Sequence, residues 1–300
     1  MYMLKRWLNN YKFILSDIVT SVGIFWLLVE IASYSTNEKI DQYIKNIPIF
    51  LFIFSIIFII ALFKNKPKTS FSYQLRNKDS FIEINVGDAF KNNGSLVIPI
   101  NDNFDVSLGG NVKKAKSLQN KLITEYYAGK EEHLENDISK VITLPNVYDI
   151  GTTIEIEQNS KIFYLLVNSR KTNKNRVEST LDDFLLSLSK LWEYIALESG
   201  RNSIVTIPLI STNHGRISNL NRMSAIKEII QSYIDSSKYL NIADKLIISI
   251  FPADINKGSL DLDEIDEYLK FSCKHFRMIK FSEKAEGEGI SASTVETINN

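Results

Sequence analysis

The chain has 300 residues, 44% of them hydrophobic and 23% charged, with 35 basic residues against 35 acidic ones. A net charge of zero argues against nucleic acid as the main partner, because neutralising phosphates needs a basic surplus. The single cysteine, Cys273, excludes an intramolecular disulfide and suits a reducing compartment; its simplest role is a small buried hydrophobe on a helix.

Apolar residues crowd the first 63 positions. Phe13–Ala32 is apolar apart from Asp17, Thr20, Ser21 and Glu30, and both carboxylates lie near its ends, where water is within reach. A spanning helix is expected there, the alternatives being an interfacial helix or a signal peptide. Thr20, Ser21 and Gly23 would let helices approach closely, and Asp17 would face a bundle interior or an aqueous path; two plain anchors with tolerated polar residues is the competing reading. Ile47–Phe63, IPIFLFIFSIIFIIALF, carries no charge and no polar stripe, and its length is about the minimum that crosses a hydrocarbon core of roughly 30 Å. Lys5, Arg6 and Lys12 flank the first segment and Lys64, Lys66 and Lys68 follow the second, whereas the connection has Lys39 and Lys45 against Glu38 and Asp41. The excess of positive charge outside the connection puts both ends of this hairpin, residues 1–66, in the cytoplasm.

Past Pro67 strand-like and helix-like segments alternate, the signature of an α/β domain over 67–282 with a mixed or largely parallel sheet. Strands are expected at Ser80–Val86, Ser95–Ile100, Ile162–Asn168, Ser203–Ile207 and Lys245–Phe251, and helices at Asn111–Tyr127, Thr180–Ser199, Asn221–Ser237 and Leu262–Lys274. LVIPI and KLIISIF lack polar alternation, as strands buried on both faces do. Thr180 is placed to cap a helix with Asp182 and Asp183 in its first turn. Residues 283–300 lack aromatics and periodicity and are expected to be disordered.

Ligands of open α/β sheets sit beyond the carboxyl ends of the strands, so three loops stand out. They are Val86-Gly87-Asp88-Ala89, Asn101 to Gly110 with Asp105 inside it, and Ser211-Thr212-Asn213-His214-Gly215-Arg216. Gly109-Gly110 immediately before a helix can present backbone N–H groups and a helix dipole to a phosphate, although glycine before a helix is more often simple turn chemistry. Arg216 would fork onto a phosphate or stand solvated on the surface. His214 would hydrogen-bond a distal group or hold its own loop. His133 and His275 stand in helical or polar surroundings, and the scattered histidines offer no metal site or triad.

The order of GD after one strand, an Asn-containing loop after the next, a Gly-Gly turn and a Gly-containing loop after a late strand resembles the macro domain, an ADP-ribose-binding fold, over roughly Phe71 to Lys274. With its apolar hairpin, IPIN and PLISTNHGR, the chain resembles more narrowly the membrane-anchored macro effectors of type II Thoeris bacterial antiphage systems. That resemblance implies a three-layer α/β/α sandwich. It implies that Asp88, with Ala89, accepts the adenine amino group, that Asn101 approaches the distal ribose, and that Gly109, Gly110 and the Ser211–Arg216 loop enclose the diphosphate. The usual Asn-Ala-Ala-Asn stretch is absent, and Asn213-His214 stands where such proteins are richer in glycine, which points away from ordinary ADP-ribose hydrolysis.

The implied biology is a multi-pass protein of the bacterial inner membrane with a cytoplasmic sensor domain and no cofactor. Its partners would be the lipid bilayer, other copies of itself in a homo-oligomer, and a nucleotide second messenger, an ADP-ribose conjugate of histidine made by a TIR-domain enzyme. The competing readings are a membrane-tethered ADP-ribosyl hydrolase, with Asn101 or Asp105 positioning water, and a scaffold with a vestigial pocket.

Overall fold

The computed structural model of the chain describes residues 11–35, 47–65, 69–106, 117–172, 177–197, 202–210, 217, 220–256, 260–280 and 296–297. It divides into two compact units, Met1–Lys68 and Thr69–Asn300.

The first unit is built on α1 (Tyr11–Ser35) and α2 (Ile47–Lys64). At 1.5 Å per residue the 25 residues of α1 make a rod of about 37 Å and the 18 of α2 one of about 27 Å. Of the two expected spanning helices, one, Tyr11–Tyr34, is long and apolar enough to cross a membrane; the described apolar run of the other, Leu51–Lys64, is shorter. The two pack side by side, with Ile14, Val29 and Ser33 of α1 and Ala61 of α2 buried. The small residues expected to bring helices together are not at this contact. Thr20, Ser21 and Gly23 are exposed, and a methyl group on Gly23 would meet nothing within 4 Å. Asp17 accepts hydrogen bonds from Lys64 Nζ at 2.9 Å and Asn65 Nδ2 at 2.8 Å, so the start of α1 lies beside the end of α2. The one hydroxyl of α2, on Ser55, donates to the Leu51 carbonyl of its own helix at 2.7 Å.

The second unit is a mixed sheet flanked by helices, the α/β/α sandwich expected. The strands are β1 (Ser70–Gln74), β2 (Phe81–Val86), β3 (Ser95–Asn101), β4 (Thr153–Gln158), β5 (Lys161–Lys171), β6 (Val177–Glu178), β7 (Asn202–Pro208) and β8 (Ala243–Ile250). Their order is β1-β2-β8-β7-β3-β5-β4, with β6 on β5. Pairs β2–β8, β8–β7, β7–β3 and β3–β5 are parallel, while β1, β4 and β6 pair antiparallel. Five carboxyl ends therefore share one edge.

Alternation along the strands builds two cores. Leu96, Ile98 and Ile100 of β3 and Phe163, Leu165 and Val167 of β5 join Leu122, Ile123, Leu134 and Ile138 from α3 (Leu118–Tyr126) and α4 (Glu131–Val141). On the other face lie α5 (Leu181–Leu197), α6 (Arg222–Ser237) and, after the short α7 (Pro252–Asn256), α8 (Leu262–Lys274). Trp192 of α5 and Tyr233 of α6, both fully buried, meet edge to face at 5.3 Å. Cys273 is buried, as expected, and burial pushes its thiol up to about 12.

Caps define the helix starts. Thr180 and Asp183 exchange side-chain-to-backbone bonds at 3.1 Å each way, so Asp183 closes a capping box at α5. Asn221 and Asp261 cap α6 and α8. Ser117 accepts from Asn120 N and has extended backbone, so α3 starts at Leu118 rather than at Asn111. Seven residues, 111–117, thus separate Gly109-Gly110 from α3 in the sequence. Elements absent from the sequence-based expectation include β1, α4, β4, β6 and α7. Of residues 283–300 only Glu296–Thr297 is described, as strand β10 pairing with β9 (Ile279–Lys280); the expected disorder of the remainder lies outside the described residues.

Candidate ligand site at the carboxyl edge

Gly87 N donates to the Ile250 carbonyl at 3.0 Å, which fixes where the chain leaves β2. Asp88 then caps a single 3-10 turn, Ala89–Lys91, its Oδ1 accepting from Phe90 N at 3.2 Å. Ala89 and Phe90 are buried beneath it. Lys161 of β5 donates to the carbonyls of Phe90 and Asn92 at 2.7 and 2.8 Å, and Asn85 Nδ2 donates to Asn92 Oδ1 at 2.8 Å. Burial lowers the pKa of Lys161. The turn that carries Asp88 is therefore held from several directions before any ligand arrives.

The Asp88 carboxylate is partly exposed, and its Oδ2 accepts from Lys121 Nζ of α3. Burial alone would raise its pKa. The Lys121 hydrogen bond and charge, the Phe90 amide and the Lys91 charge together outweigh that and hold the acid below its usual value.

Asn101 ends β3 at a register shift against β5. Its side-chain oxygen accepts from Asn103 N at 3.1 Å and Asp105 N at 3.0 Å, so the residue folds its own loop. Asp102 is buried and accepts from Lys171 N at 2.9 Å, locking the loop to the end of β5. Asp105 forms an ion pair with Lys171, and its carbonyl accepts from Gln119 Nε2 of α3 at 2.9 Å. A third pair, Arg222 with Asp254 at 3.2 Å, joins the start of α6 to α7 after β8.

Asp88, Ala89, Asn101 and Asp105 thus come to the same edge of the sheet, while Gly109, Gly110 and the loop Ser211, Thr212, Asn213, His214, Gly215, Arg216 lie outside the described residues. Sequence reasoning missed Lys121, Lys171, Arg222 and Asp254. The one local signal was the helical spacing of Lys121 and Glu125, now a 3.5 Å ion pair. His275 stacks on Phe271 with ring centroids 4.2 Å apart, at the end of α8. Among the described residues no group of His, Cys, Asp and Glu is arranged to hold a metal ion.

The domain is thus a mixed α/β sandwich whose parallel-strand edge carries a fixed, partly exposed carboxylate. Residues 82–251 match the family described as Thoeris protein ThsA, Macro domain, over more than half of the chain, and the protein belongs to that family. No curated protein matches the chain. Among solved structures it is similar to the Oceanobacillus iheyensis macrodomain with MES bound, at 18% identity and a TM-score of 0.44, covering 66% of this chain and 98% of that one. It is also similar to the Trypanosoma brucei macrodomain in complex with ADP-ribose, at 11% identity and a TM-score of 0.42, covering 63% and 68%.

Proposed function

We propose that this protein is a membrane effector of antiphage defence whose macro domain binds an ADP-ribose-derived signal. The observation that carries the reading is the family of residues 82–251. In this reading Asp88 takes the amino group of the adenine, a fixed acceptor matched to a donor-bearing base edge. Gly109, Gly110 and the loop 211–216 enclose the diphosphate, and the distal group is a histidine attached by a TIR-domain partner enzyme. Asn101 shapes the pocket wall, since its oxygen is committed to backbone amides.

The N-terminal unit is the output. α1 and α2 form a two-pass hairpin in the inner membrane with both ends on the cytoplasmic side, a reading supported by Asp17 meeting Lys64 and Asn65 at one end. Ligand binding drives copies to associate and disrupt the bilayer, ending in growth arrest or death. A shift from 1:99 to 99:1 requires the ligand to prefer the assembled state by about 10⁴-fold.

The test is calorimetric titration of the full chain in detergent with ADP-ribose and with its histidine conjugate, followed by chromatography of the ligand. Binding of the conjugate without turnover is expected. Cleavage of either ligand would replace this reading with the tethered hydrolase, and absence of binding to both would overturn the sensor role.

A further inference from the structure

We infer that Lys121 is a built-in competitor for the base-recognition carboxylate and sets the ligand threshold of the domain, an inference that rests on Asp88 receiving the ligand's base. The two oxygens of Asp88 are spoken for in different ways. Oδ1 faces the Phe90 amide of its own turn, whereas Oδ2, the oxygen left for a partner outside the turn, accepts from the Lys121 ammonium. The Lys121 ammonium brings an opposite charge to the carboxylate as well as a hydrogen bond, whereas a neutral donor brings the hydrogen bond alone. An incoming exocyclic amino group is neutral, so it must displace Lys121 or share an acceptor already polarised toward a cation.

Lys121 is equipped to leave. Its Nζ stands 3.5 Å from Glu125 Oε1 on the same helix and 4.9 Å from the centroid of the Phe90 ring. Both can retain the ammonium after Asp88 is released. Asp88 is not equipped to follow, because Lys161 and Asn85 pin its turn. The exchange therefore moves one flexible side chain and leaves the acceptor in place. Its consequence is that the free protein rests with the acceptor occupied, and a weak or fragmentary adenine ligand is rejected where the full signal is not.

The experiment is calorimetry on the full chain in detergent with ADP-ribose as the probe, comparing wild type, Lys121→Met, Lys121→Gln, Asp88→Asn and the Asp88→Asn/Lys121→Met double variant. Since the pair is partly exposed, removing the ammonium should tighten binding about three- to tenfold. Lys121→Met in the Asp88→Asn background should then change nothing, because the contested carboxylate is gone. Unchanged or weaker binding by both Lys121 variants overturns the competition. If Asp88→Asn weakens binding while the Lys121 variants do so too, Lys121 supports the site, and only this inference falls. Unchanged binding by Asp88→Asn removes the base assignment and this inference together. Should wild type bind no ADP-ribose, its appearance in Lys121→Met carries the inference, and continued absence in both variants overturns it while leaving the sensor reading to the titration with the histidine conjugate.

Discussion

The two units of this chain treat apolar side chains in opposite ways. In Thr69–Asn300 the largest form a core: Trp192, Tyr164, Phe163, Phe184 and Leu96 are fully buried between sheet and helices. In α1 and α2 they point outward, with Leu27 58%, Ile31 61%, Phe52 68% and Ile60 60% exposed. Burying apolar surface is the main drive to fold in water, so the first arrangement is stable there, whereas the second leaves large apolar side chains uncovered, as a candidate membrane helix does. The difference lies in what the apolar side chains face as well as in their number, since apolar residues crowd the first 63 positions.

Truncating one large side chain in each unit should break the symmetry most visibly. Trp192→Ala removes a fully buried ring that packs on Tyr233 and donates to Ser232 Oγ at 3.0 Å, and should cost about 3–5 kcal/mol. Leu27→Ala should leave denaturant unfolding of the sheet unit unchanged and act only on retention in the membrane fraction. Equal losses of unfolding stability would show that α1 is packed against protein after all.

Hydroxyls sharpen the same contrast. Ser80 is buried, donates to the Ala243 carbonyl at 2.8 Å and lies 3.0 Å from the Tyr233 hydroxyl. Ser55 bonds only one turn back within α2. Ser80→Ala should destabilise by roughly 1–3 kcal/mol in chemical denaturation, because buried partners are left short of a bond. Ser55→Ala, whose bond is internal to the helix, should be close to neutral.

Alkali tests the buried side alone. Burial raises Tyr233 from 10.0 to about 12. Below pH 10 both the folded and unfolded states keep the proton and the stability is complete. Between pH 10 and 12 the unfolded chain releases it and the folded one does not, so stability falls as pH rises, by at most about 1.4 kcal/mol per unit from this group. Tyr233→Phe should flatten that slope in equilibrium unfolding series; an unaltered slope would assign it elsewhere.

What the sequence made legible follows from how local each signal is. The bounds of α8 were readable because Asp261 caps it and the apolar period runs through Leu262, Ile265 and Leu269. β3 and β8 were readable as unbroken apolar runs. The hairpin of β4 and β5 carried a signal that went unread: Ile154 and Ile156 alternate with Glu155 and Glu157, and Asn159-Ser160, both with positive φ, make its two-residue turn. Asp88 and Asp105 of the candidate site were also readable, as residues in loops after strands. Their cations were not. Lys121 and Lys171 reach Asp88 and Asp105 across 33 and 66 residues of sequence, a juxtaposition that only the folded sheet creates. Asn101 shows the converse, a residue noticed for its chemistry whose oxygen turns inward to its own loop.

Glycines give the smallest effect and the cleanest separation of folding from function. Gly94 has φ +80, and a Cβ there would come within 2.3 Å of the Ile204 carbonyl oxygen, so the fold itself demands it. Gly87 has no such demand: its φ lies outside the left-handed region, and a Cβ would meet only the Asn85 amide at 3.6 Å, an ordinary contact. Gly87→Ala should therefore alter stability by no more than about 0.5 kcal/mol. In titrations with ADP-ribose the same methyl group stands beside Asp88, so weakened binding at unchanged stability would place the ligand against the Gly87 backbone. Unchanged binding would put the base farther along the edge, toward Phe90. A loss of stability instead would mean that the Asn85–Asn92 bond holding the turn cannot give way by even a few tenths of an ångström.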